Sequence, residues 1–228
     1  MKLLRHLLLP ALLGFAGVAW ADCIPIAVDN FNLPYYPSGF VTLGAGNAFG
    51  NNNNWQVTQG SIDVVGTSAW QSPDGNQTID MDGLTEGQIQ TTINVPFAGT
   101  VDINFWLSGN PQGPPMVKTL SVSLGSASDS YTFNVDGHDD NNMGWTMETA
   151  VFTDQLAGPE TLTFTSLDSV PGNLYGPAIG TVSACAMGVP DNGSTALLLG
   201  MVLAGGALWQ ALKTPARLAC QKLPRRRW

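Results

Sequence analysis

Chemistry in this 228-residue chain has few places to happen. Of its two histidines, His6 lies in an apolar leader, so a Ser-His-Asp or Cys-His arrangement would have to be built around His138 alone. No G-x-S-x-G turn presents a nucleophile, and no His/Cys set has the spacing of zinc ligands. Carboxylates remain. Asp22 to Val189 holds sixteen acidic residues, and a glycoside hydrolase needs only two of them flanking a sugar bond. Nothing in the sequence singles out a pair, and Asp74, Asp80, Asp82 and Asp102 read as solvated loop or strand-face residues. The run Asp136-Gly137-His138-Asp139-Asp140-Asn141-Asn142 crowds oxygen donors as calcium prefers, yet the twelfth position of an EF-hand loop would be Met147 rather than Glu. An exposed polar turn is the expectation there. The sequence fixes no cofactor, and calcium is the one its acids could take.

Binding without catalysis has better material. Trp55, Trp70, Trp106 and Trp145 lie between the two ends of the chain, and an indole face can stack on a sugar ring while amides and carboxylates take the hydroxyls. Trp70 stands among Ser68, Gln71, Ser72, Pro73 and Asp74, which reads as a loop, and is expected to be exposed and to touch ligand. Asp74, Asn76 and Asn110 are the polar groups expected beside it. Trp55 and Trp145 are expected in the core. Trp106 alternates with Phe105, so one of the two faces outward.

Charge narrows the partners. Charged residues are 11% of the chain, against about 25% in an ordinary soluble domain. Eight of nine basic residues sit in the first five or last sixteen positions; from Asp22 to Val189 only Lys118 opposes the sixteen acids, a formal charge of −15. That excludes nucleic-acid binding through phosphate neutralisation.

Both ends read as addresses. Residues 1–21 combine Lys2 and Arg5, an apolar run from Leu7 to Val18 and Ala19-Trp20-Ala21, the pattern of a cleaved secretory signal; the run is short for a permanent span. Asp22 before Cys23 removes the lipobox. A second apolar stretch, 196–212, is followed by a basic end, 213–228, as for a membrane helix with a cytoplasmic tail. Before it stands Val189-Pro190-Asp191-Asn192-Gly193-Ser194-Thr195. Motif, helix and Arg-rich end in this order resemble the PEP-CTERM sorting signals, closest to the VPDSG-CTERM variant with Asn192 in place of Ser. The resemblance implies an exosortase as processing partner, a stay in the inner membrane before processing, and then the cell surface or extracellular matrix. A plain single-pass anchor is the alternative. Export also permits Cys23 and Cys185 to pair. That bond would close almost the whole domain, a chain-entropy gain of about 5 kcal/mol. An intermolecular pair is the alternative, and Cys220 lies beyond the helix.

The segment 22–188 reads as one all-β domain. Ile89, Thr91, Ile93 and Val95 alternate with polar residues, as do Val101, Ile103, Phe105 and Leu107, then Tyr131, Phe133 and Val135, then Leu162 and Phe164. Eight to ten such strands with Gly/Pro punctuation predict an antiparallel β-sandwich of jelly-roll type. The Asn-rich stretch Gly44 to Asn54 reads as a mobile loop. Trp55-Gln56-Val57, Gly60-Ser61-Ile62-Asp63, Pro73-Asp74-Gly75-Asn76 with Ile79-Asp80-Met81-Asp82-Gly83, Gly109-Asn110-Pro111, Asn142-Met143-Gly144-Trp145, Phe164-Thr165-Ser166-Leu167 and Gly176-Pro177-Ala178-Ile179 follow one another in order. As a series they resemble the galactose-binding-like domain of the choice-of-anchor C proteins, related to the BIIDXI-like family. That resemblance implies a jelly roll at a surface or wall that binds polysaccharide without catalysis. The chain departs from the pattern at Gly180, where the family commonly has Asp. A purely structural matrix protein and a carboxylate-based glycosidase are the alternatives.

Overall fold

Apolar residues at every second position do here what strand geometry requires of them: one row per strand turns inward and the other outward, to water wherever no loop covers the sheet. The computed structural model describes residues 23–168 and 174–188. The leader 1–21, the motif Val189 to Gly193, the apolar stretch 196–212 and the basic end lie outside the described residues. Among the described residues thirteen strands are formed: β1 (Cys23–Asp29), β2 (Phe40–Gly44), β3 (Ala48–Phe49), β4 (Trp55–Gln59), β5 (Ser61–Val65), β6 (Thr78–Asp80), β7 (Gln88–Val95), β8 (Gly99–Gly109), β9 (Val117–Leu124), β10 (Ala127–Asn134), β11 (Thr146–Gln155), β12 (Gly158–Ser166) and β13 (Pro177–Gly188). They belong to one compact unit, Ala21–Val189.

The strands make two sheets with antiparallel pairing throughout. One runs β11-β8-β13-β6-β5-β2, with β1 also on β13; the other runs β10-β9-β12-β7-β4-β3. From β6 onward the chain crosses repeatedly between layers, so that β6, β13, β8 and β11 are neighbours in the first sheet and β7, β12, β9 and β10 in the second. This is the eight-stranded jelly-roll order. The five earlier strands lengthen the sheets, three on the first and two on the second.

Between the layers Val101, Ile103, Phe105 and Leu107 of β8 face Leu120, Val122 and Leu124 of β9 and Leu162 and Phe164 of β12 within one buried cluster. Phe31, Trp55, Phe164, Phe105 and Tyr131 form a chain of ring contacts at 5.2–5.8 Å through it. The outward residue of the Phe105–Trp106 pair is Trp106.

One expectation changes and one holds. Gly44 to Asn54 is built rather than loose: it contains β3 and a short 3-10 turn, Asn51–Asn53, and Phe49 is fully buried. The buried carboxylate of Asp29 holds the segment by accepting the backbone N–H groups of Phe31 at 2.8 Å and Asn51 at 3.0 Å. The cysteines pair within the chain, Cys23 with Cys185 at a Cα separation of 5.5 Å, tying β1 to β13. Strand β13 pairs with β8 on one side and with β6 and then β1 on the other, and its register shifts between Ile179 and Val182. Gly180 stands at that shift. A Cβ there would lie 3.0 Å from both Pro73 Cγ and Trp106 Cβ, so the glycine lets the 73–77 loop rest on the sheet.

Candidate ligand-binding site

On the outer face of the first sheet, β5 and β6 carry two acids in register. Ile62, Val64 and Ile79 point into the core, so Asp63, Val65, Thr78 and Asp80 point out; Asp63 and Asp80 are direct cross-strand partners. Their Cβ atoms are therefore about 5 Å apart. The loop after β5 folds back over this face, and Trp70 packs with Val65, Met143 and Ala178 in a second, smaller apolar cluster. Between that cluster and the neighbouring loops lies an open cleft of about 300 Å³, lined by Phe40, Thr42, Asp63, Val65, Trp70, Asp80, Leu84, Asn110, Gln112, Leu174 and Tyr175 among others. Phe40 and Leu84 are 62% and 67% exposed on its rim, with Leu174 beside them. A second cleft, of about 210 Å³, opens where β1 meets β7 and contains Asp29. Its one carboxylate is already spent on the backbone, which makes the first cleft the better candidate.

The cleft floor is a buried polar network. Asp80 Oδ2 accepts the Asn110 amide at 2.7 Å, while Oδ1 accepts the backbone N–H groups of Gly176 and Asp82, each at 3.0 Å. Burial pushes its carboxyl up to about 8. Asp82 is fully buried and hydrogen-bonded by the Ser166 hydroxyl; Asp168 Oδ1 accepts the Thr119 N–H at 2.7 Å. Burial raises both carboxyls to about 6. The domain's single cation lies among them. Lys118 is 0% exposed, and its Nζ donates to the carbonyls of Gly113, at 2.9 Å, and Tyr175. Burial lowers its pKa, and the nearby Asp168, Asp80 and Asp82 oppose that shift. Its position follows from strand parity: Lys118 shares the inward row of β9 with Leu120. A Cβ at Gly109 would lie 2.4 Å from Lys118 Cγ, so that glycine makes room for the stem. By holding both carbonyls, Lys118 pins from below the two loops that form one wall of the cleft.

A pH dependence follows from these carboxyls. Their folded-state pKa values lie above the unfolded 3.8. Their stabilising effect is therefore full below about pH 4 and is lost as pH rises through about 6 and then 8. Lys118, whose pKa burial lowers, contributes with the opposite sign. The urea midpoint is expected to be higher at pH 5 than at pH 8; a midpoint that rises with pH across this window would contradict the network.

The structure brings together two of the four expected ligand residues. Trp70 and Asn110 line the cleft. Asp74 and Asn76 lie in the 72–77 loop and hold it in place: Asp74 accepts the Asn76 N–H at 3.1 Å and the Thr181 hydroxyl, and Asn76 accepts the Asn32 amide at 2.6 Å. Trp70 itself is not exposed. At 6% accessibility it is a core residue of the smaller cluster, because Met143 and Ala178, distant in sequence, cover it together with Val65. Trp145, expected in the core, is half-buried with its Nε1 donating to the Gln71 carbonyl at 2.7 Å, while Trp55 is buried. Asp80 and Asp82 are likewise buried rather than solvated. In the 136–142 run Asp139 accepts the Asn141 N–H at 2.8 Å, and the His138 ring lies 5.4 Å from that of Phe133, as in a polar turn. Among the described residues no group of three or more His, Cys, Asp or Glu is placed to hold a metal ion. Asp63, Phe40, Leu84, Gln112 and Tyr175 had no local signal.

No family model matches the chain, and no curated protein matches it. Among solved structures it is similar to the C-terminal CBM6 of the laminarinase LamC from Zobellia galactanivorans, at 13% identity and TM-score 0.39 over 65% of this chain and 100% of that one. It is similar to the carbohydrate-binding module CBM6cm-2 of Cellvibrio mixtus lichenase 5A, solved with cellotriose, at 11% identity and TM-score 0.39 over 72% and 100%. A third is the CBM35 of Cellvibrio japonicus Abf62, at 11% identity and TM-score 0.43 over 66% and 95%.

Proposed function

We propose that this is an exported protein, sorted by an exosortase through Val189 to Gly193 to the cell surface or matrix. Its jelly roll, of the galactose-binding-like kind, binds polysaccharide in the cleft without cleaving it. The observation that carries the binding half is the cleft itself: an exposed apolar rim, Phe40 and Leu84, beside polar groups on the floor, open to solvent. That is the composition of a sugar site, where ring faces need apolar contact and hydroxyls need partners. Non-catalytic binding is favoured because both oxygens of Asp80 are occupied by N–H donors, which leaves Asp63 without a free second carboxyl for acid–base work.

Phe40→Ala with Leu84→Ala tests this reading. Both side chains are exposed, so unfolding should shift little, while affinity for the host's extracellular polysaccharide is expected to fall about tenfold. Unchanged binding in the double variant would remove the cleft from the reading. Failure of the wild type to bind, with and without calcium, would favour a structural matrix protein. Release of new reducing ends would instead reveal a hydrolase. Sorting has its own test: mass spectrometry of the protein from cells with and without exosortase, where the same uncut C-terminus in both defeats the sorting claim.

A further inference from the structure

We propose that the cleft selects glycans bearing free amino groups and rejects uronates and sulfated sugars; this rests on the glycan-binding reading above. The charges facing the cleft are of one sign. Asp63 enters it from β5 and uses Oδ1 to accept the Thr42 hydroxyl at 2.5 Å, while Oδ2 has no donor among the described residues. Its cross-strand partner Asp80 stands beside it, buried and with its carboxyl pushed up to about 8, so the formal charge in the cleft rests on Asp63. Among the described residues no basic side chain answers them, because Lys118, the one base from Asp22 to Val189, is fully buried with its Nζ on two backbone carbonyls. A ligand carboxylate or sulfate would meet no cation, and the formal charge of −15 over that segment repels a polyanion before contact.

An ammonium meets the reverse situation. It brings up to three donors and a positive charge to a half-buried carboxylate with an open oxygen, and charge-assisted hydrogen bonds are stronger and shorter than neutral ones. Burial already raises the Asp63 carboxyl above its ordinary value, and a bound cation offsets that desolvation. A neutral sugar can fill the same space but does nothing for the charge.

The test uses three β-1,4-linked tetramers that differ only at C2: glucosamine, N-acetylglucosamine and glucose, with an oligouronate as fourth probe. Affinities are measured on the full-length chain in mild detergent at physiological salt, at mildly acidic pH where the sugar amines are protonated. The glucosamine tetramer is expected to bind about tenfold tighter than the other two, the step worth one charge-assisted hydrogen bond. The oligouronate should not bind. Asp63→Asn is expected to abolish the preference. Asp136→Asn, which removes an exposed charge from another loop, is expected to keep it. Equal affinities, uronate binding, or a preference that survives Asp63→Asn or vanishes in Asp136→Asn would each overturn the inference. Equal affinities would leave the glycan reading standing, whereas binding of none of the four, nor of the host polysaccharide, would remove both.

Discussion

Lys118→Met is expected to lower the unfolding free energy at neutral pH by about 3–5 kcal/mol, the range for removing one partner from a buried charge network. The side chain is fully buried and, among the described residues, is the only cation near Asp80, Asp82 and Asp168. Met fills most of the volume, so a loss of this size would report charge rather than packing. Two backbone carbonyls, of Gly113 and Tyr175, would also lose their donor. The deficit should shrink at pH 5, where Asp82 and Asp168 take up protons and the missing positive charge matters less. A substitution cost that is small at pH 7, or independent of pH, would show that the lysine is held by its carbonyls alone.

Trp70→Ala is the second large effect, at about 3–5 kcal/mol, the range for removing a buried large aromatic side chain. Trp70 joins Val65 on β5, Ala178 on β13 and Met143 from the 136–145 loop, with Ala69 and Trp145 packed against them. Because the same residue lines the cleft, polysaccharide affinity should fall with stability, whereas Phe40→Ala should separate the two. Urea unfolding together with affinity measurement checks this. Trp70→Phe is expected to recover much of the stability; full stability in Trp70→Ala would mean that the smaller cluster is not a packed core.

The layers were legible in the chain because period-2 alternation is a local property: the rows of β7, β8, β10 and β12 can be read from their own residues. Strand β13 hides from that reading. Its small residues, Ala178, Gly180, Ala184, Cys185 and Ala186, are inside because it is paired on both edges and covered on both faces. The site was less legible for the same kind of reason. Trp70 has polar neighbours in sequence and apolar neighbours in space. Asp80 and Asp82 sit among residues typical of a loop, and only the convergence of the Asn110 amide and the Gly176 N–H makes burial of Asp80 tolerable. That Lys118 is the lone base between the ends was visible from the start; that strand parity points it inward, beneath the cleft, was not.

If the sorting proposed above leaves the domain tethered through its C-terminal end, the placement of Cys185 gains a mechanical meaning. Tension entering at Gly188 reaches β13 within three residues of the disulfide, and there it divides between two strands, β13 and the covalently attached β1. A pull directed along β13 would run parallel to the strands. Ladder hydrogen bonds to β8, β6 and β1 are therefore loaded side by side in shear instead of opening one after another. The strand nearest the tether is also among the best secured in the sheet, so a load hung on the cleft would be carried by many bonds at once.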